Sequence, residues 1–269
     1  MELQSFLDEF TAHFSTILKQ NLEGIYLHGS AAMGCYQEGK SDIDLLIIVG
    51  TPISLEVKQE LIAAVLKLEE KDPQKQTEWS ILRKADLNHF LFPTPFELHY
   101  SKSHKDKYVS DPKYTCADGV DADLAAHIVV TQQRGICLYG TEISSAFPLV
   151  AEQYFIRSIV HDVSDAMNEI VNNPVYYTLN LCRVLYYFRR GSILSKSEAG
   201  QWALEQPFSS ENHSIILHCL QIYESTDVHA WRPVERMCLV RFAENMLREI
   251  EKELARKGYN GIQFLEEDK

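Results

Sequence analysis

No two of the six cysteines (Cys35, Cys116, Cys137, Cys182, Cys219 and Cys238) stand at a Cys-x₂-Cys spacing. A zinc ribbon or a disulfide framework is therefore not expected, and reduced thiols are. Every apolar run is far shorter than the ~20 residues that cross a bilayer. The opening residues Met1-Glu2-Leu3-Gln4 lack the basic-then-apolar pattern of a signal segment. These absences make a cytoplasmic location and no membrane partner the expectation. Positive charge is also in deficit, with 26 Lys and Arg against 38 Asp and Glu, a formal net charge of −12. Nucleic-acid binders displace phosphate counterions with Lys and Arg, so no nucleic-acid partner is expected. An acidic surface instead attracts polycationic small molecules. A Gly-x₄-Gly-Lys-Ser/Thr loop is missing, as are Gly-x-Ser-x-Gly and His-Glu-x-x-His, which removes the P-loop NTPases and the usual hydrolases and metalloproteases. Internal repeats and low-complexity segments are lacking too.

One stretch organises what is present. The apolar run Gly24-Ile25-Tyr26-Leu27-His28 ends in Gly29-Ser30, the way a strand passes into a helix whose free N–H groups can face a phosphate. A second strand then opens on Ser41-Asp42-Ile43-Asp44 and runs into Leu45-Leu46-Ile47-Ile48-Val49. The period of two in a strand puts both aspartates on one face. Two like charges beside a fully apolar run are costly unless a cation lies between them. Carboxylate oxygens suit Mg²⁺, which is usually held by one or two carboxylates plus substrate phosphates. The bland alternative is a turn whose aspartates are surface residues at a strand start.

The rest of the chain divides by pattern. Leu3, Phe6, Leu7, Phe10, Phe14, Ile17 and Leu18 have helical spacing over 2–21. Ser54 can cap a helix to about Glu70, with Leu55, Leu61, Ile62, Val65 and Leu66 inward. Segments 77–82 and 96–101 alternate as strands, giving a small mixed α/β sheet. From about residue 120 the pattern predicts helices alone, over 121–137, 149–171, 175–190, 197–205, 215–223 and 234–255. In the last of these Val234, Met237, Val240, Phe242, Met246 and Ile250 read as bundle core. The tail from Leu265 reads as a frayed end. The domain boundary is expected between Gly140 and Pro148, giving domains 1–143 and 144–269. The fold class is thus α/β (α+β), a mixed-sheet domain followed by an all-helical bundle domain.

Gly29-Ser30 with Ser41-Asp42-Ile43-Asp44 resembles the defining motif of the polymerase-β-like nucleotidyltransferases. The wider wording, Leu27-His28-Gly29-Ser30-Ala31 and Ser41 to Leu46, resembles the aminoglycoside adenylyltransferases that modify streptomycin and spectinomycin. Further on, Leu179-Asn180-Leu181-Cys182-Arg183, Gly191 and Ser195-Lys196 are similar to that family's C-terminal pattern, as is the helix carrying Ala199 and Trp202. The resemblance implies ATP as co-substrate, Mg²⁺ on Asp42 and Asp44 with Glu78 as a third acidic group, and a cationic aminoglycoside or aminocyclitol acceptor. By the same resemblance Glu78 is the general base, with Glu97 in reserve. Gly29, Ser30 and Ser41 would hold phosphates, Lys196 would touch them, and Tyr223 would contact the nucleotide.

Alternatives stay open at several of these positions. Glu78 can be an edge-strand glutamate in solvent, and Lys196 a solvated loop lysine. Arg183, within an apolar helix face, is expected to pair with a carboxylate, for structure or for nucleotide contact. The acceptor is expected against Glu97 and Glu169. The family's acidic residue ahead of the Arg183 helix appears here as Asn173, with Glu169 one turn earlier. His28 stands where the family has Tyr or Phe. Lys102-Ser103-His104 occupy the stretch where streptomycin-accepting members carry Trp. ATP and acceptor are expected between the domains of a monomer or weak homo-oligomer. A nucleotidyltransferase acting on a protein or another metabolite, of toxin–antitoxin or regulatory type, shares every one of these residues, and a non-catalytic nucleotide-binding module is the remaining rival.

Overall fold

Phe6, Phe10 and Phe14 recur every fourth residue, and this spacing makes α1 (Leu3–Leu18) a helix with one aromatic face, all three rings fully buried. In the computed structural model, which describes residues 1–225, 234–259 and 264, that face lies on a six-stranded sheet. The chain forms two compact units, residues 1–158 and 159–269.

In the first unit β1 (Leu22–His28) leads into the short α2 (Gly29–Ala32), then β2 (Ile43–Val49) and α3 (Leu55–Lys71). Next come β3 (Thr77–Arg83), α4 (Lys84–Asn88), β4 (Thr94–Tyr100), α5 (Lys102–Ser110) and β5 (Ala117–Asp121). They are followed by α6 (Leu124–Arg134), β6 (Ile136–Gly140), α7 (Ile143–Ala146) and α8 (Glu152–His161). The sheet order is β5-β4-β3-β2-β1-β6, with β2 and β3 parallel and the other neighbours antiparallel. The expected mixed sheet is therefore present.

Alternation along the strands splits the core in two. Leu45, Ile47 and Val49 of β2 and Trp79 and Ile81 of β3 face α1 and α3. Leu46, Ile48 and Leu82 join Tyr26, with Leu124 and Ile128 of α6, on the opposite face. Within α3 the inward residues are Leu61, Ile62, Val65 and Leu68, whereas Leu55 is exposed.

A buried carboxylate ties the first face together. Glu69, 1% exposed, accepts from Thr77 N and Thr77 Oγ1 (2.9 Å each), from Tyr100 Oη (2.9 Å) and from Lys105 Nζ (2.6 Å). Burial, with the Glu69 charge second, pushes the Tyr100 phenol well up, so its proton stays in that bond. Glu69→Leu strands these donors at once and is expected to destabilise the first unit by about 3 kcal/mol, read from urea unfolding.

Two expectations fail here for identifiable reasons. The helix expected over 121–137 ends at Arg134. Gly135 closes it by donating its N–H to the Thr131 carbonyl (2.9 Å), and 136–140 instead pairs with β1 as an edge strand. The region beyond residue 120 is thus not helical throughout. The helix expected over 149–171 is also broken. The 162–165 turn, where Ser164 Oγ donates to the His161 carbonyl (2.8 Å), separates α8 from α9 (Ala166–Glu169).

The contact boundary falls at Ser158/Ile159, within α8, fifteen residues beyond the expected 143/144. The first half of α8 belongs with the first unit. Tyr154 stacks on Phe92 at 5.4 Å, and Ser158 Oγ accepts from Ala126 N at 3.2 Å.

The second unit adds α10 (Pro174–Arg190), α11 (Lys196–Leu204), α12 (Ser210–Glu224) and α13 (Arg236–Arg256). Pro174 opens α10 at a position that needs no N–H donor, and Gly191 ends it in the left-handed region at φ 74°. α10 packs against α11, α12 and α13. At the α11–α12 crossing a side chain on Gly200 would lie 2.6 Å from Leu220 Cδ2, so glycine is what permits the close approach. In α13 Phe242, Met246 and Ile250 are fully buried as expected, but Met237 is 66% exposed and Leu239 takes the inward place. The tail from Leu265 lies outside the described residues. No helix among the described residues is long and apolar enough to cross a membrane.

Candidate active site

Strand pairing, rather than chain proximity, assembles the site. His28, the last residue of β1, pairs with Asp44 of β2, and Asp44 pairs with Glu78 of β3. Residues paired across neighbouring strands point to the same side of the sheet, so His28, Asp44 and Glu78 form one row. It lies on the face that carries Tyr26, Leu46 and α6. Asp42 sits one residue ahead of β2, and its charge acts on Glu78.

Beside this row the chain turns at Gly29, in the left-handed region at φ +64°. A Cβ built there would lie 1.8 Å from Asp44 Oδ2. The Asp44 carboxylate therefore rests directly on the glycine backbone, in space that no other residue leaves. The hydroxyl of Ser30 is buried at the start of α2 with no hydrogen-bond partner. An orphaned donor and a helix's first N–H groups, beside two aspartates, form a surface prepared for an anion that brings its own cation. Ser41, by contrast, accepts from Gln37 N (3.1 Å) and closes the 37–41 turn that delivers Asp42.

The electrostatics identify Glu78 as the perturbed group. β3 is an interior strand, so the solvent-exposed edge glutamate of the bland reading is not what forms. Burial pushes the Glu78 carboxyl up from the ordinary glutamate range; His127 opposes this, and Asp42, Asp121 and Asp123 reinforce it. Burial also holds the His28 imidazole well below its usual range, with His127 adding to the effect from a ring 5.0 Å away. His99 is lowered to about 4, by burial first and then by His104, and its Nδ1 lies 3.0 Å from Ser80 Oγ.

The sequence reading missed His127, Asp121 and Asp123. A signal was available. Asp121 and Asp123 repeat the i, i+2 spacing of Asp42 and Asp44, and His127 follows Asp123 by one helical turn. Only tertiary packing carries them to Glu78.

Glu97 is not part of this cluster. It is buried between Arg83 Nε (3.2 Å) and Lys58 Nζ (3.7 Å), and it accepts from Ile53 N (3.2 Å). The β3–β4 register runs from Trp79↔Tyr100 to Ile81↔Leu98 and stops. Glu97 lies beyond that paired stretch, and its carboxylate is taken up by Arg83, Lys58 and Ile53 N. Its charge is already matched, which makes it a structural hub.

Among the described residues no three His, Cys, Asp or Glu side chains are grouped to hold a metal by themselves. Asp42, Asp44 and Glu78 are thus not a closed three-carboxylate cage. The oxygen donors of Asp42 and Asp44 are of the hard kind that suits Mg²⁺.

In the second unit Val171, Asn172, Asn173, Pro174, Tyr176, Lys196 and Tyr223 line a hollow of about 510 Å³. Asn173 is the N-cap residue of α10 and makes no side-chain cap bond. Glu169 accepts from Asn172 Nδ2 (3.0 Å) and carries the turn into α10. Lys196 opens α11, whose start is fixed by the reciprocal bonds of Ser195 and Glu198. Among the described residues Arg183 is paired with neutral oxygens and not with the expected carboxylate: its Nε donates to the Leu194 carbonyl (3.1 Å) and its Nη1 to Asn180 Oδ1 (3.1 Å). It ties α10 to the loop before α11.

A strand–glycine–serine turn, a following Asp-x-Asp and a third carboxylate one strand over define a nucleotidyltransferase, and comparison with known proteins agrees. Residues 11–109 match the nucleotidyltransferase domain, and residues 145–249 match the C-terminal domain of aminoglycoside adenylyltransferases. The chain belongs to the aminoglycoside adenylyltransferase branch of the nucleotidyltransferases and is an enzyme of that type. An aminoglycoside (3'')(9) adenylyltransferase of Shigella flexneri is 25% identical over 236 residues, spanning 82% of this chain and 86% of its own. A spectinomycin 9-adenylyltransferase of Enterococcus faecalis is 21% identical over 238 residues, spanning 87% and 91%. The fold matches that of the Enterococcus spectinomycin adenyltransferase AAD(9), solved with ATP and spectinomycin. The TM-score is 0.78 at 18% identity, over 93% of this chain and 99% of that one.

Proposed function

We propose that this enzyme transfers AMP from ATP to a hydroxyl of a cationic aminocyclitol or aminoglycoside. The observation that carries the chemistry is the His28–Asp44–Glu78 row beside the Gly29 turn and the orphaned Ser30 hydroxyl. Asp42 and Asp44 would hold Mg²⁺, which when bound neutralises charge on the triphosphate. Ser30 and the N–H groups behind Gly29 would donate to phosphate oxygens. Glu78 would take the proton of the acceptor hydroxyl. That oxygen then forms a bond to the α-phosphorus while the bond to the bridging oxygen breaks, and pyrophosphate leaves. In the second unit Lys196 and Tyr223 would meet the nucleotide.

The acceptor class rests on the relatives named above and on the acidic surroundings of Glu78, to which Asp42, Asp121 and Asp123 contribute. Glu169 and Asn173 are retained as acceptor contacts; Glu97, already paired, is not needed there.

Purified enzyme with ATP, Mg²⁺ and a panel of spectinomycin, streptomycin and neutral sugars tests the reading. Pyrophosphate release with a mass gain of one AMP is expected on an aminocyclitol or aminoglycoside alone. AMP appearing on a protein substrate, with all drugs untouched, would overturn the acceptor and support the regulatory alternative.

A further inference from the structure

The hollow of the second unit holds its lysine in an unusual way. The Lys196 ammonium lies 4.7 Å from the centroid of the Tyr176 ring. Tyr176 is itself fixed at two points. Its hydroxyl donates to Asp162 Oδ1, and the Tyr177 ring meets it edge-on at 5.1 Å. Both helices that carry the pair have rigid starts: Pro174 sets the first turn of α10, and the Ser195–Glu198 capping box sets that of α11. Ser197 Oγ donates to Glu224 of α12, and Arg183 fastens the loop just before Lys196. A tyrosine whose hydroxyl donates to a carboxylate presents a ring face richer in electron density, and such a face attracts a cation.

We propose that Tyr176 is a positioning residue for Lys196, its ring serving as the platform that keeps the ammonium extended over the hollow for an incoming triphosphate. A free lysine chain loses rotamer freedom when it binds a phosphate, and a platform that has already ordered it lowers that loss. The ring touches neither phosphate nor acceptor in this role; it acts through the lysine. The inference rests on the reading of Lys196 as a phosphate contact.

The test measures ATP dissociation constants by calorimetry on the full chain with Mg²⁺, for Tyr176→Phe, Tyr176→Trp, Tyr176→Leu, Lys196→Met and the Tyr176→Leu/Lys196→Met pair. Tyr176→Leu is expected to weaken ATP about three- to fivefold. The Phe and Trp variants, which keep an aromatic face, are expected to stay within about twofold of the parent. In the Lys196→Met background Tyr176→Leu should add nothing, an outcome that a general packing defect would not give. If Lys196→Met weakens ATP but Tyr176→Leu does not, or weakens it equally in both backgrounds, the platform role is wrong while the phosphate reading stands. If Lys196→Met leaves ATP affinity unchanged, both fall. Should the Leu variant fail to fold, the Trp variant decides: loss of affinity there overturns the role.

Discussion

Glu78→Gln is expected to lower kcat by about 10²- to 10⁴-fold, the range for loss of a general base, while ATP affinity stays within about threefold of the parent. The size follows from placement. Glu78 sits in the same row as Asp44, one strand over, and among the described residues no hydrogen bond or ion pair of the kind that occupies Glu97 competes for it. Glutamine keeps the shape and removes the proton acceptor, so binding should survive and turnover should not. Glu97→Gln discriminates between the two candidate bases. It should lower the melting temperature, because Lys58 and Arg83 lose a charged partner, yet keep kcat within about threefold well below the melting point. Initial rates of pyrophosphate release, with calorimetry for ATP, check both. Full turnover in Glu78→Gln would remove Glu78 from the mechanism.

The same variant carries a stability signature of the opposite sign. Burial first, with Asp42, Asp121 and Asp123 behind it and His127 opposing, raises the Glu78 carboxyl in the folded protein. The native state therefore binds this proton more readily than the unfolded chain does. Stability falls as pH rises through the window between the two values and stays reduced above it. In metal-free buffer at pH 7 Glu78→Gln should melt a few degrees above the parent. The gain should shrink once the pH drops below the ordinary glutamate range, where both side chains are neutral. A residue held ionised at a cost in stability, whose removal abolishes turnover, is the pattern of a functional carboxylate.

How much of this was legible in the sequence depends on the range of the interactions. Gly29-Ser30 and Asp42/Asp44 are separated only by the rest of the short α2 and a loop, so their chemistry and their strand setting could be read together, and the mixed sheet followed from alternation. Glu78 came from resemblance, since nothing local shows that β3 lies parallel to β2 with Glu78 opposite Asp44. Glu97 misled because its partners, Lys58 of α3, Arg83 and Ile53 N, come from other elements and nothing local announces them. Strand β6 was hidden because 121–137 reads as one helix until Gly135 is recognised as its end, and the apolar run after it gains partners only from the far edge of β1. His127 stayed invisible for the same reason: its position on α6 has meaning only once α6 is laid across the face that carries Glu78. Arg183 shows the reverse case. A charged residue on an apolar helix face suggested a carboxylate, but a carbonyl and an amide sufficed, because guanidinium donors can be satisfied by neutral oxygens.

Gly29→Ala should damage turnover severely for a single added methyl. Two penalties coincide at this position. The backbone is at φ +64°, which disfavours an alanine by about 1–2 kcal/mol even in open space. The new Cβ would also sit 1.8 Å from Asp44 Oδ2 and 2.7 Å from Asp44 Cγ, so the Asp44 carboxylate cannot stay where it is. Asp44 must therefore swing out of its row, or the turn must open and carry Ser30 away from its buried place. Either shift moves a group meant to meet the triphosphate by an ångström or more, and displacement of that order is expected to lower kcat/KM at least about 100-fold. The control is Gly258→Ala. That glycine also has positive φ, at +88°, but a Cβ there would meet nothing within 4 Å. It should lose a similar increment of stability by thermal unfolding and keep its turnover. Equal activity losses in the two variants would mean that backbone strain alone, and not the contact between Gly29 and Asp44, explains the glycine.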